Sequence, residues 1–154
     1  KSNDQLKDFV KKHILEKNEV FNKTNISENV FNNEEKLLKL EKFIHPLVKL
    51  ARDSFIEREK QNDSKIVIIE VPLLFEKNLE NDFDFIILVK TSSDLQEKRV
   101  LERPNMTPEL FSKIKKKQLP NIRKEERSHF VIDNINREKT IKKIDTIMKN
   151  IKVN

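Results

Sequence analysis

The sequence contains no cysteine, glycine, tryptophan or tyrosine, and each absence excludes a class of site. Without cysteine, neither a disulfide framework nor a thiolate metal site can form. Without glycine, no glycine-rich phosphate loop exists in these residues, although average usage of about 7% would give about eleven glycines. Base stacking would depend on the ten phenylalanines alone.

The sequence also lacks long apolar segments. No apolar run approaches the ~18 residues needed to cross a bilayer, and nothing near the first residues resembles a signal peptide. A chain of 154 residues is long enough for one domain with its own core. We therefore expect a single cytoplasmic domain, residues 1–154, with no membrane partner.

The excess positive charge lies in one segment, residues 98–127. The formal net charge of the chain is +6, and this segment carries ten Lys or Arg against four Glu, whereas the remaining acids and bases balance. Such a cluster is typical of a surface that binds an anionic partner. A solvated helical face would show the same composition, and that interpretation stays open on charge alone.

Apolar residues at helical spacing predict six helices. Asp4 is the expected N-cap of the first, and Thr107 followed by Pro108 begins another. Pro46 lies inside the longest pattern, where proline removes a backbone donor, so we expect a kink or break near His45 and Pro46. The predicted helices span residues 5–14, 34–58, 94–103, 108–118, 123–127 and 137–151.

Three apolar runs without alternation predict strands covered on both faces, at residues 66–71, 83–89 and 130–132. Strands separated by helices favour an α/β layered fold with a mostly parallel sheet. Ligands of such sheets bind at the carboxyl ends of the strands, so the residues that follow each strand are the candidate site.

Two arginines follow the second predicted strand. Arg99 and Arg103 stand four residues apart in a predicted helix, which places both guanidinium groups on one face. Guanidinium groups bind phosphate with two parallel hydrogen bonds each. The pattern predicts a phosphate clamp beside the sheet.

Five spaced motifs resemble the dephospho-coenzyme A kinase family. They are "FIHPLV" (43–48), "EVPLLFE" (70–76), "DLQEKRVLER" (94–103), Gln118 with Lys124, and "FVIDN" (130–134). They follow the family's order and approximate spacing over nearly the whole chain. Each motif alone is weak, but chance agreement of all five is improbable.

The resemblance implies a three-layer P-loop kinase fold with a parallel sheet, a helical lid and a helical acceptor-binding segment. It implies transfer of the γ-phosphate of ATP, with Mg²⁺, to the 3′-hydroxyl of dephospho-coenzyme A in the last step of coenzyme A biosynthesis. The corresponding segments are an acceptor-side part at 1–64, a core at 65–93 and 129–154, and a basic lid at 94–128. Phosphoryl transfer needs mainly positioning and charge neutralisation, which suits a basic lid.

The resemblance also implies roles for single residues. Arg99, Arg103 and Lys124 match positions near the nucleotide phosphates, and Asn134 matches the loop beside the adenine ring. Glu70 stands at a strand end suited to a water-mediated Mg²⁺ contact. The acceptor side is expected to include His45, Leu73 and Phe75, whereas Glu76 is interpreted as a surface acid.

The chain departs from the family pattern in three places. The family's first strand and P-loop, with its lysine, and the aspartate segment that supplies the expected base have no counterpart, so we expect them outside these residues. The catalytic base is therefore unknown from this sequence. His129 stands where the family commonly has an acid, and no glycine follows Asn134.

Two other functions remain open. A basic nucleic-acid-binding module would explain the charge, because phosphate backbones attract the same side chains. It explains the residues at the strand ends poorly, and we expect no nucleic-acid partner. A noncatalytic protein that binds an adenine nucleotide or coenzyme A without turnover is the second alternative.

Overall fold

The structure, a computed structural model, describes residues 2–151 and divides into two compact units. The first unit is Lys1–Val67 and the second is Ile68–Asn154. The predicted functional segments within the chain stay predictions.

Three helices form the first unit: α1 (Ser2–His13), α2 (Lys23–Phe31) and α3 (Glu34–Gln61). Asn22 and Asn33 are the N-caps of α2 and α3, and each side chain accepts a hydrogen bond from a backbone amide three residues later. Val10, Ile14 and Val30 form the buried centre of the unit. The ring of Phe9 stacks on that of Phe43 with centroids 4.0 Å apart, which joins α1 to α3.

The predicted N-cap of α1 was wrong, the predicted break of the long helix at Pro46 is absent, and α2 was not predicted. Helix α1 begins at Ser2, so Asp4 lies in its first turn rather than at the N-cap. In the first turn its carboxylate still interacts favourably with the positive end of the helix dipole. Helix α3 runs through Pro46 without a break. Proline at position 46 cannot donate the helical hydrogen bond to Lys42, but the 28-residue helix continues past it.

The second unit contains two strands and four α-helices in its described part. The elements are β1 (Ile87–Lys90), α4 (Ser93–Leu101), α5 (Pro108–Lys116), α6 (Asn121–Glu126), β2 (Phe130–Asp133) and α7 (Arg137–Asn150). A short 3₁₀ turn, Glu80–Asp82, precedes β1. Strands β1 and β2 pair in parallel, with Ile87 opposite Phe130 and Lys90 opposite Asp133. Thr107 is the N-cap of α5 with Pro108 at its start, as predicted.

The core of the second unit lies along the sheet and α7. Phe75, Ile86, Phe111, Ile132 and Ile147 are its buried apolar residues. The predicted apolar face of α7 is only partly covered, because Ile141 and Ile144 remain 47% and 42% exposed. Among the described residues, no helix combines the length and apolarity that spanning a membrane requires.

The strand prediction was correct for residues 130–132 and wrong for residues 66–71. Residues 66–71 pair with no strand in the described part of the chain, and Ile68 is 76% exposed. The second predicted strand is shorter than expected, and Ile87 and Val89 are exposed on one of its faces. The expectation that residues 66–71 and 83–89 are covered on both faces is therefore wrong.

His129 fixes the entry into the sheet. The ring Nδ1 of His129 accepts a hydrogen bond from the backbone N–H of Ile86 at 3.0 Å. The backbone N–H of His129 donates to the carbonyl of Ile86, also at 3.0 Å. The first bond requires an acceptor at position 129, which an imidazole nitrogen or a carboxylate provides equally well. Histidine in place of the family's usual acid is therefore compatible with this pairing.

Candidate active site

The carboxyl ends of β1 and β2 lie side by side, and Lys90 at the end of β1 pairs with two acids, one of which is at the end of β2. Lys90 Nζ lies 2.8 Å from Glu125 Oε1 and 3.7 Å from Asp133 Oδ1. The hydrogen bond to Glu125 holds the pKa of Lys90 above its ordinary value, against an opposing effect of burial. The amide of Asn134 donates to the carbonyl of Lys90 at 2.7 Å, which extends the strand pairing by one residue. Ion pairs and a backbone hydrogen bond therefore hold together the carboxyl ends of the two strands, where a ligand is expected to bind.

The structure brings together two predicted site residues, Arg99 and Asn134. Arg99, on the exposed side of α4, donates from Nη1 to the backbone carbonyl of Asn134 at 3.2 Å. Asn134 Oδ1 accepts from Thr140 Oγ1 at 3.4 Å, which ties the loop to α7. The predicted phosphate-binding helix and the predicted adenine loop are thus in direct contact.

Arg103 does not share a helix with Arg99, so the predicted placement on one helical face was wrong. Helix α4 ends at Leu101, and Arg103 lies in the turn that follows. The reason is local, because Arg103 precedes Pro104, and the residue before a proline is driven away from the helical conformation. Asn105 then adopts a positive φ of 61°. The side chain of Arg103 is exposed and has no hydrogen-bond or ion-pair partner within residues 2–151.

Lys124 is a buried member of an ion pair. Its Nζ lies 2.8 Å from Glu76 Oε1, and the two side chains are only 10% and 11% exposed. The same carboxylate oxygen accepts a hydrogen bond from the amide of Leu119 at 2.9 Å. Glu76 Oε2 is buried without a hydrogen-bond partner among the residues that the structure describes. The interpretation of Glu76 as a surface acid is therefore wrong.

The environment of Glu76 favours its charged form. Burial alone raises the pKa of this carboxyl, but the hydrogen bonds from Lys124 and Leu119, with the charge of Lys124, lower the pKa below its ordinary value. The group therefore stabilises the fold above the pKa of an unfolded glutamate, and this contribution is lost as pH falls through the lower folded-state pKa.

We predict that the Glu76 pair makes the fold acid-sensitive below about pH 4.5, the region of an ordinary glutamate pKa. Thermal unfolding should be followed by circular dichroism from neutral pH downward for the unchanged protein and for Glu76→Gln. The variant is expected to be less stable at neutral pH and to lose less stability on acidification. Equal losses in the two proteins would contradict the prediction.

Further charge pairs attach α6 and the residue after it to other parts of the second unit. Arg127 Nη2 forms an ion pair with Glu80 Oε1, and its guanidinium carbon lies 4.9 Å from the ring centroid of Phe75. Glu125 pairs with Lys90 as described above. Since Lys124 and Arg127 are neutralised by acids, the unpaired part of the basic segment lies nearer α4 and α5.

The remaining predicted residues of the second unit follow residues 66–71. Glu70 is exposed, and within the described chain its carboxylate has no hydrogen-bond or ion-pair partner. Leu73 is half-buried, whereas Phe75 is a core residue with only 5% exposure. An acceptor molecule would reach the ring of Phe75 only if the side chains that cover it moved.

His45 belongs to the first unit, where it is an exposed residue of α3. Residues 2–151 contain no group of three or more His, Cys, Asp or Glu side chains arranged to hold a metal ion. A divalent cation bound by these residues would therefore need further ligands, such as bound phosphates or water.

Comparison with known proteins identifies the family. The sequence model described as dephospho-CoA kinase matches residues 1–140. The chain belongs to the dephospho-CoA kinase family.

Three curated relatives carry the name dephospho-CoA kinase. The protein of Bartonella quintana is 38% identical over 84% of this chain, that of Rhizobium meliloti 36% over 64%, and that of Rhodopseudomonas palustris 33% over 70%. The chain spans 67%, 51% and 54% of the lengths of these relatives. For two of the three relatives, the similarity thus covers about half of the relative's length.

A solved structure resembles the fold of the chain. The crystal structure of TT1252 from Thermus thermophilus superposes with a TM-score of 0.75, at 22% identity, over 98% of this chain and 77% of that one. At this identity the likeness concerns the fold alone, and the predicted α/β fold class is confirmed.

Proposed function

We propose that this protein is a dephospho-CoA kinase that transfers the γ-phosphate of ATP to the 3′-hydroxyl of dephospho-coenzyme A. The observation that carries the proposal is the family match over residues 1–140. The relatives of three bacteria, each named for this activity, support it. We further propose that the protein acts in the cytoplasm on these two small molecules, without a nucleic-acid or membrane partner.

The proposed phosphate contacts come from Arg99, Arg103 and Lys124. Phosphoryl transfer spreads negative charge over the oxygens of the transferred group, so fixed cations nearby lower the barrier. Arg103 is exposed and unpaired among the described residues, which leaves its guanidinium available for a phosphate. An ammonium carries three N–H donors, so Lys124 can stay bound to Glu76 and also donate to a phosphate oxygen.

Asn134 is proposed to lie beside the adenine ring. Its backbone carbonyl already accepts from Arg99, and its amide donates to Lys90. The position of this loop is therefore coupled to a phosphate-binding side chain. This coupling supports a role in placing the base and the phosphates of one nucleotide relative to each other.

Glu70 is proposed to contact Mg²⁺ through water. Mg²⁺ keeps several water ligands and commonly takes one or two carboxylates together with substrate phosphates. The exposed carboxylate of Glu70, without a partner in the described chain, fits this arrangement. When bound, the ion would neutralise charge on the nucleotide phosphates. The acceptor is proposed to contact His45, Leu73 and Phe75.

The proposal is tested by measuring ADP formation with a panel of acceptors. We expect ADP to form when the purified full-length protein receives ATP, Mg²⁺ and dephospho-coenzyme A. Coenzyme A is the matched control acceptor, because its 3′-hydroxyl already carries a phosphate. ADP formation at the same rate with dephospho-coenzyme A and with coenzyme A would contradict the proposal. Tight coenzyme A binding without ADP formation would favour a noncatalytic binding protein.

A further inference from the structure

Glu76 is a largely buried carboxylate with hydrogen-bond partners far along the chain. It lies in the turns that follow residues 66–71, and its side chain is 11% exposed. A carboxylate at this depth is costly unless hydrogen bonds and an opposite charge compensate it. The compensation from other residues comes from one region of the chain, because Leu119 and Lys124, which both donate to Glu76, belong to residues 119–124.

The two donors lie on either side of the entry into α6. Leu119 precedes Pro120, the N-cap residue of α6, which makes no side-chain capping bond. Lys124 lies within α6. One carboxylate oxygen therefore holds the backbone before the helix at 2.9 Å and a side chain of the helix at 2.8 Å. Since Glu80 and Lys90 bind the same short helix region, α6 is fixed at several points.

We infer that Glu76 is a positioning residue that holds Lys124 in place for the nucleotide phosphates and fixes Leu119 as the immobile end of the basic lid. This inference rests on the proposed function. Closure of the basic lid then moves the part that contains α4 and α5, while residues 119–124 stay on the core. Lys124 thus differs from Arg103, because its ammonium is already in place before the nucleotide binds.

The kinetic test compares Glu76→Gln with Glu80→Gln. The two acids are well matched, because each has Oε1 paired with a base in residues 124–127 and Oε2 buried without a described partner. At a temperature where both variants are folded, Glu76→Gln is expected to lower kcat at least about tenfold, because small displacements of a positioned group cost large factors in rate. Glu80→Gln is expected to stay within about twofold of the unchanged protein.

A double variant tests whether Glu76 acts through Lys124. In a Lys124→Met background, Glu76→Gln is expected to have no further effect on kcat, because the group that it positions is absent. The double variant removes both buried charges, so it also provides a folded protein if Glu76→Gln alone unfolds. Equal losses of kcat in Glu76→Gln and Glu80→Gln, or additive losses in the double variant, would overturn the inference.

Amide hydrogen exchange tests the anchoring separately from activity. Exchange at Leu119 is expected to accelerate in Glu76→Gln and to stay unchanged in Glu80→Gln, because only Glu76 accepts the Leu119 N–H. A Leu119 amide that stays protected in Glu76→Gln would overturn the anchoring role. An unchanged protein that forms no ADP from dephospho-coenzyme A would instead contradict the proposed function, so the two failures are distinguishable.

Discussion

Replacement of Arg103 by alanine is expected to lower kcat/KM for phosphorylation of dephospho-coenzyme A by about a thousandfold. Arginines that neutralise the transferred phosphoryl group contribute about 10³ to 10⁵ in rate in related chemistry. Arg103 suits that role because it is exposed beyond the end of α4 and is held by no acid among the described residues. The loss should fall mainly on kcat, since the interaction strengthens as charge develops.

Lys98→Ala is the matched control for Arg103→Ala. Lys98 is another exposed cation of the same segment, in the last turn of α4, and it has no proposed role. Steady-state rates with varied ATP and saturating acceptor separate the two variants. If Lys98→Ala lost as much activity as Arg103→Ala, the effect would come from general positive charge, and the assigned role of Arg103 would be wrong.

Lys124→Met is expected to lower the free energy of unfolding by about 3–5 kcal/mol, because it leaves Glu76 buried without its charge partner. The two side chains are about one-tenth exposed, so water compensates little of this loss. Urea unfolding followed by circular dichroism measures the change. Adding Glu76→Gln to the variant should recover part of the stability, because it removes the uncompensated charge.

The control for this stability effect is Lys142→Met on α7. Lys142 forms an ion pair of similar length with Glu138, at 2.7 Å, but both side chains are more than 70% exposed. Exposed pairs contribute little to stability, so only a small change is expected. Similar losses in Lys124→Met and Lys142→Met would show that burial of the Glu76 pair has no energetic consequence.

Features that depend on neighbouring residues were predictable from the sequence. The start of α5 at Thr107 and Pro108 follows from an N-cap hydroxyl and a proline that needs no hydrogen-bond partner. The end of α4 before Arg103 was also predictable, because Pro104 disfavours a helical conformation for the residue before it. The spacing of Arg99 and Arg103 indicates a continued helix, but the effect of Pro104 on Arg103 outweighs it.

Features that depend on distant residues were not predictable. Residues 66–71 have the composition of a buried strand, but a strand also needs a hydrogen-bonding partner, and the local sequence does not specify one. The pairing of Glu76 with Lys124 joins residues 48 positions apart, and neither residue type indicates its partner. The motif "EVPLLFE" contained Glu76, but it carried no information about burial.

The site residues illustrate the same distinction. The sequence placed Arg99 and Asn134 after two different strands, and parallel pairing brings those strand ends together, so their contact follows from the topology. The burial of Phe75 under Arg127 depends on how α6 packs, which apolar spacing does not describe.

The most direct test of the account is the position of the phosphoryl group in the product. The full-length protein should be incubated with ATP, Mg²⁺ and dephospho-coenzyme A, and the coenzyme product examined by phosphorus NMR and mass spectrometry. We predict the gain of one phosphoryl group, esterified at the 3′-hydroxyl of the ribose. Unmodified dephospho-coenzyme A, or a phosphoryl group at another position, would contradict the assignment of this protein as a dephospho-CoA kinase.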